Sequence, residues 1–193
     1  MSTYSPEAVF ADPPVLTPAG RRIAAAAATL FYERGIRAVG VDTVAEVAGT
    51  TKKTIYDCFG SKDALVATYL VLRQRRWSAH LEAEITSHRS PRLRLLAVFD
   101  AQQSWLADNR RGCAFVNAWA EAGTSEPVAA VVRAEKACMR RRIDTLVAEA
   151  GLPRAADTAA TLHLLYEGAL VASTAGGDER AVADARRAAA LLV

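Results

Sequence analysis

The sequence predicts an all-α protein of about nine helices, in which an amino-terminal three-helix head joins a larger helical body. Three observations predict it. Hydrophobic residues make up 51% of the chain but aromatics only 7%. Most of the buried surface therefore falls to alanine, leucine and valine, and alanine and leucine lose little on entering a helix. Apolar residues recur at three- and four-residue spacing, and no segment alternates as a half-buried strand would. Helix starts carry Thr, Ser or Pro, and helix ends are followed by Gly. The expected division is a flexible tail over 1–16, a head over 17–62 and a body over 63–193.

The tail contains Pro6, Pro13 and Pro14 and lacks the charged, apolar and small-residue order of a secretory leader. No apolar run approaches the length of a membrane span. These features predict a soluble cytoplasmic protein with no membrane partner. Cys58, Cys113 and Cys138 are widely spaced, the chain has three histidines, and no CxxC pair occurs. Neither a disulfide framework nor a metal or other cofactor is expected.

The first helix is read in "LTPAGRRIAAAAATLFYERG", where Thr17 caps, Pro18 suits the first helical position and Gly35 lies past the end. Ile23, Ala27, Leu30 and Phe31 form its apolar stripe. Two short helices follow. Val41, Val44, Val47 and Ala48 are expected on the inner face of one, Ile55 and Phe59 on that of the other, with Gly49 between them. The fourth helix starts at Ser61, a cap, with Asp63 in its first turn, and runs to about Ile85. Further helices are expected over Pro91–Ala107, in "CAFVNAWAEAG", and over Glu126–Ala150, Ala155–Thr174 and Asp178–Val193.

The segment from Val41 to Phe59 has the organisation of a helix-turn-helix, a pattern that ordinary bundles also contain. Its second helix opens with Thr51, Lys52, Lys53 and Thr54, two hydroxyls and two cations at the end that enters the major groove in such motifs. Lysine can donate to guanine or phosphate, threonine can bond or offer its methyl to thymine, and free helix N–H groups favour an anion. A solvated, capped turn is the competing reading. The charge distribution agrees with a phosphate-facing head. Over 17–62, Arg21, Arg22, Arg34, Arg37, Lys52, Lys53 and Lys62 outnumber Glu33, Asp42, Glu46 and Asp57, so this stretch holds the whole formal excess of +3.

The run from Thr17 to Leu65, densest in "VAEVAGTTKKTIYDCFGSKDAL", resembles the amino-terminal domain of the TetR/AcrR family of transcriptional regulators. The resemblance implies that Ala48 and Gly49 shape the turn, Thr51 caps the recognition helix, Tyr56 touches phosphate and Phe59 is a core aromatic. Lys62 matches a lysine at the start of the fourth helix, where a cation beside helix N–H groups can share a phosphate. The expected DNA contacts are therefore Thr51, Lys52, Lys53, Thr54, Tyr56 and Lys62. Arg21 and Arg22 face either the DNA backbone or solvent. The pattern departs from the family at Gly40, Thr50, Asp57 and Cys58. Asp57 and Cys58 predict a weaker grip on phosphate, and Gly40 caps without offering a hydroxyl.

Beyond about residue 85 the resemblance rests on helix order and on "RGCAFVNAWAEAG". It implies double-stranded operator DNA as partner, a homodimer paired through the last two helices, and a body that binds a small-molecule inducer, most often to release a repressor. Leu162, Leu165, Tyr166, Ala169 and Leu170 are the stripe compatible with pairing, with Leu191, Leu192 and Val193 ending the chain apolar. Candidate pocket walls are Trp77, Trp105, Phe115, Trp119 and Tyr166, although aromatics at this spacing equally suit a plain core. Asn117, Glu121, His163 and Glu167 are the candidate polar contacts. No HExxH, GxSxG or phosphate-loop signature occurs, so no enzymatic activity is expected. The alternative class is a helical small-molecule-binding protein or enzyme whose head only resembles a DNA reader.

Overall fold

The computed structural model describes residues 8–11 and 15–193; the rest of the expected tail lies outside the described residues. The described residues form ten helices and no strand: α1 (Ala8–Ala11), α2 (Pro18–Arg34), α3 (Val41–Val47), α4 (Lys52–Phe59), α5 (Lys62–Thr86), α6 (Pro91–Asp108), α7 (Ala114–Ala122), α8 (Glu126–Glu149), α9 (Ala155–Thr174) and α10 (Ala181–Ala190). Nine have seven residues or more. The fold is all-α, as the sequence predicts.

Local chemistry sets the boundaries. The Thr17 hydroxyl accepts the Gly20 N–H at 3.0 Å, Thr51 accepts that of Thr54 at 3.2 Å, and Ser61 accepts that of Ala64 at 3.0 Å. Each satisfies one of the donors that a helix start leaves open. The expected last helix is shorter at both ends. Asp178 Oδ1 accepts the Arg180 N–H at 2.9 Å, and this local turn delays α10 to Ala181. At the other end the Leu192 N–H bonds back three residues to Ala189, tightening the chain out of the α-helix.

The chain divides into two compact units, one running through Arg75 and including Ala114–Glu135, the other comprising Arg76–Cys113 and Lys136–Val193. The first unit packs α2, α3 and α4 against one another. Ile23, Ala27, Val44, Ile55, Leu65 and Leu70 are fully buried there, and Phe31 meets Tyr69 edge-on with ring centroids 6.1 Å apart. Val47, expected on the inner face of α3, is instead 58% exposed. From Val41 the i, i+3, i+4, i+7 series selects Val44, Ala45 and Ala48, so Ala45 occupies the buried place. Phe59 is half-buried.

The second unit has its own core, drawn from Trp77, Leu81 and Ile85 of α5, Leu95 to Phe99 of α6, Met139, Ile143 and Leu146 of α8, and residues of α9 and α10. Ion pairs tie its helices at the periphery. Arg142 grips Glu82 through two bonds of 2.7 and 2.8 Å, and Arg186 meets Asp100 at 2.6 Å. The stripe expected to pair subunits packs within this core: Leu162, Tyr166 and Ala169 are buried in it and Leu165 lies against it. Periodicity identifies an apolar face but not what covers it. On α9 the apolar side chains left open are Leu164, 70% exposed, and Val171, 50% exposed.

Candidate nucleic-acid interface and sensing residues

The turn between α3 and α4 is closed by backbone bonds. Gly49 takes the left-handed conformation at φ +60°, its N–H reaches Glu46 O at 3.1 Å, and the Thr50 N–H reaches Ala45 O at 2.9 Å. This paired closure satisfies the last carbonyls of α3 and requires the glycine. It delivers the chain to Thr51, whose hydroxyl caps α4 and lies 2.9 Å from that of Thr54. The amino end of α4 is thereby fixed with Thr51, Lys52 and Lys53 exposed, Thr54 half-buried, and Ile55 anchoring the opposite face in the core. Tyr56 is 43% exposed.

Both lysines of this end have acidic neighbours. Lys52 Nζ lies 3.1 Å from Asp42, and Lys53 Nζ lies 2.7 Å from Asp57. The hydrogen bond that Lys52 donates to Asp42, and then the Asp42 charge, hold the Lys52 ammonium above the ordinary lysine pKa, so it stays a cation. All four side chains are more than half exposed. Pairs of this kind are weak and yield readily to a competing anion. Lys62 is placed differently from the others: its ammonium donates to Ile36 O at 2.6 Å and sits 6.0 Å from the Phe31 ring centroid. One of its three donors is thus engaged in holding the turn after α2. Arg21 donates to Leu16 O at 2.8 Å, while Arg22 is exposed.

The sensing candidates distribute over the two units. Trp77, Trp105 and Tyr166 gather in the second, with Trp77 5.5 Å from Trp105 and 6.5 Å from Tyr166 between ring centroids. His80, which sequence reasoning missed, joins them 5.3 Å from Trp105. His163 Nε2 lies 3.8 Å from Glu167, whose two carboxylate oxygens each accept from Lys136 at 2.9 Å. Burial, reinforced by Arg140 and Lys136 and opposed by Glu167 and Asp144, lowers the His163 pKa below its ordinary value.

Phe115, Asn117, Trp119 and Glu121 fall in the first unit. Phe115 is buried, Asn117 half-buried, and Trp119 is 47% exposed beside the Arg133 guanidinium, 5.5 Å from its ring centroid. Glu121 is directed at the turn after α2. Its Oε2 accepts the Arg37 N–H at 2.9 Å, and its main-chain carbonyl accepts Arg37 Nε at 2.7 Å. Arg37 and Glu121 are 84 residues apart, and nothing in the local sequence pairs them.

The family model for bacterial regulatory proteins of the tetR family matches residues 23–69. An HTH-type transcriptional regulator of Mycobacterium tuberculosis is 31% identical over 91 residues, 47% of this chain and 45% of that one. The chain thus spans about half the length of the curated relatives it matches. Among solved structures, the TetR-family regulator SCO4454 of Streptomyces coelicolor is 27% identical with a TM-score of 0.77, covering 89% of this chain and 96% of that one. A Cytophaga hutchinsonii TetR-family regulator shares the fold at a TM-score of 0.79 and 18% identity, over 93% and 96% of the two chains. The chain thus carries a tetR-family head at residues 23–69, with the ordered turn and α4 inside it, and shares its all-helical fold along most of its length with TetR-family transcriptional regulators.

Proposed function

We propose that this regulator is a homodimeric repressor that binds operator DNA through α4 and is released when a small molecule binds the body. The functional division in this reading is a DNA-reading head over 17–62 and a sensing and pairing body over 63–193, working in the cytoplasm on chromosomal DNA. Thr51, Lys52, Lys53 and Thr54 face the major groove, and Tyr56 and Lys62 contact phosphate.

The observation that carries the reading is the amino end of α4. Capped by Thr51 and anchored by buried Ile55, it presents two exposed cations whose acidic partners, Asp42 and Asp57, are themselves solvent-facing. A positive, hydroxyl-bearing, rigidly held helix end is what a groove-reading element requires. Lys62 supports the phosphate role in part, since its engagement with Ile36 O leaves further donors on the same ammonium.

One head reads only a half-site, and two must lie on one face of the duplex about 34 Å apart. Leu164 and Val171 of α9, with Leu191 at 88% and Leu192 at 41% exposure beyond α10, supply the apolar surface for pairing. Release then requires a ligand that binds one arrangement of the dimer better than the other.

Selection of bound duplexes from a random pool tests the proposal. A palindrome with half-sites one helical turn or so apart is the expected result. Recovery of no enriched sequence, or unchanged duplex binding in folded Lys53→Ala, Tyr56→Phe and Lys62→Ala variants, overturns it.

A further inference from the structure

We infer that the core of the second unit binds a small uncharged aromatic molecule bearing an O–H or N–H donor, of phenol or indole type, with Gln102 as the acceptor that selects it. The inference rests on the proposed reading of the body as a sensor and names the chemistry of what is sensed.

Gln102 lies on α6 and is only 2% exposed. Its Nε2 donates to Tyr166 O at 3.0 Å, which fixes the amide, because turning it over would set two oxygens against each other. Its Oε1 is buried, and no donor among the described residues reaches it. Native interiors leave few acceptors in this state, since each forfeits its water bonds without replacement.

Aromatic side chains cluster around Tyr166, and the ring donors of two of them, Trp77 and His80, are engaged elsewhere. Trp77 Nε1 donates to Met139 Sδ at 3.3 Å, and His80 Nε2 sits 3.1 Å from Ala101 O and 3.0 Å from Ser104 Oγ. Trp105, one helical turn after Gln102 on α6, is partly exposed and meets the Trp77 ring edge-on. An aromatic guest that displaces the outer face of this ring pair keeps the ring contacts while bringing a donor to Gln102 Oε1. An acid does not fit. Its carboxylate would oppose the amide oxygen, and none of Trp77, Trp105, Met139, Tyr166 and Gln102 carries a compensating charge.

Calorimetric titration of the whole protein with p-cresol, toluene and p-toluate tests this. The expected result is p-cresol binding ~10-fold or more tighter than toluene, with no saturable binding of p-toluate. Indole N–H signals of Trp77 and Trp105 should shift with p-cresol while that of Trp119 does not. Gln102→Met, close in volume and without the acceptor, should fold and bind p-cresol no better than toluene. Absence of p-cresol binding, equal affinity for p-cresol and toluene in the unaltered protein, or a preference that survives Gln102→Met overturns the inference. The DNA reading is scored separately by duplex binding without additive. If p-cresol binds as expected yet leaves duplex affinity unchanged, the release mechanism fails and the ligand class stands.

Discussion

Glu121 holds Arg37 at two points, through its carboxylate to the Arg37 N–H at 2.9 Å and through its own carbonyl to Arg37 Nε at 2.7 Å. The same carboxylate lies 3.0 Å from where a Cβ on Gly35 would stand, and Gly35 has φ +93°. The turn that leads from α2 towards the recognition element is therefore shaped by a glycine and fastened by a residue of α7. Glu121→Ala should lower the unfolding free energy by about 1 kcal/mol, the worth of a partly exposed hydrogen bond. Glu121→Gln, which keeps an acceptor, should cost less. Gly35→Ala should cost more than about 1 kcal/mol because backbone strain and crowding by Glu121 act together. Urea denaturation of the three variants gives the order, and equal stability of Gly35→Ala with the parent would refute the account of this turn.

On the proposed reading of α4, Asp57 competes with DNA for Lys53. Their 2.7 Å pair is exposed on both sides, so Asp57→Asn should change stability by no more than about 0.5 kcal/mol. Duplex affinity should nevertheless rise, because Lys53 is released and a negative charge leaves the reading face. If Lys53 gains a phosphate, the slope of log affinity against log salt steepens by ~0.9. Fluorescence anisotropy across a salt series measures both, and a fall in affinity would sink the assignment of this face.

The head was legible because its signals are local. Thr17, Thr51 and Ser61 cap the helices they precede, and Gly49 closes the turn it punctuates. Such chemistry acts within three or four residues, which a sequence displays directly. Glu121 was visible only as a polar residue among apolar ones, because its partner Arg37 comes from another part of the chain. Lys62 likewise reads as a charge, not as a donor to Ile36 O. The stripe at Leu162, Tyr166 and Ala169 is apolar, as its spacing indicates, but belongs to the subunit's own core. Periodicity reports which residues share a face and is silent on which face is covered by what.

His163 should make stability fall in mild acid. Burial lowers its folded-state pKa below 6.5, with Lys136 and Arg140 acting in the same sense and Glu167 and Asp144 against it. Below pH 6.5 the unfolded chain takes up this proton more readily than the folded one, so protonation favours unfolding. The contribution of neutral His163 is intact above 6.5 and is lost as pH falls through that value towards the lower folded pKa. Thermal unfolding between pH 7.5 and 5 should show a shallower decline in His163→Gln than in the parent. An identical decline would place the titration on other groups.

The proposed pairing surface gives the sharpest separation between stability and assembly. Leu164 and Val171 lie seven residues apart, two turns along α9, on the side away from Leu162, Tyr166 and Ala169. Replacing Leu164 with Glu removes no contact from the subunit core, since that side chain is 70% exposed. The helical content and unfolding transition of a monomer carrying it should therefore persist at high dilution of both proteins. In a symmetric dimer the same substitution appears on both subunits, and burying two carboxylates without partners opposes association strongly. Leu164→Glu and Val171→Glu should each shift sedimentation from dimer to monomer at micromolar concentration, and should weaken palindromic duplexes far more than isolated half-sites. A dimer that survives both substitutions would move the interface off this face of α9.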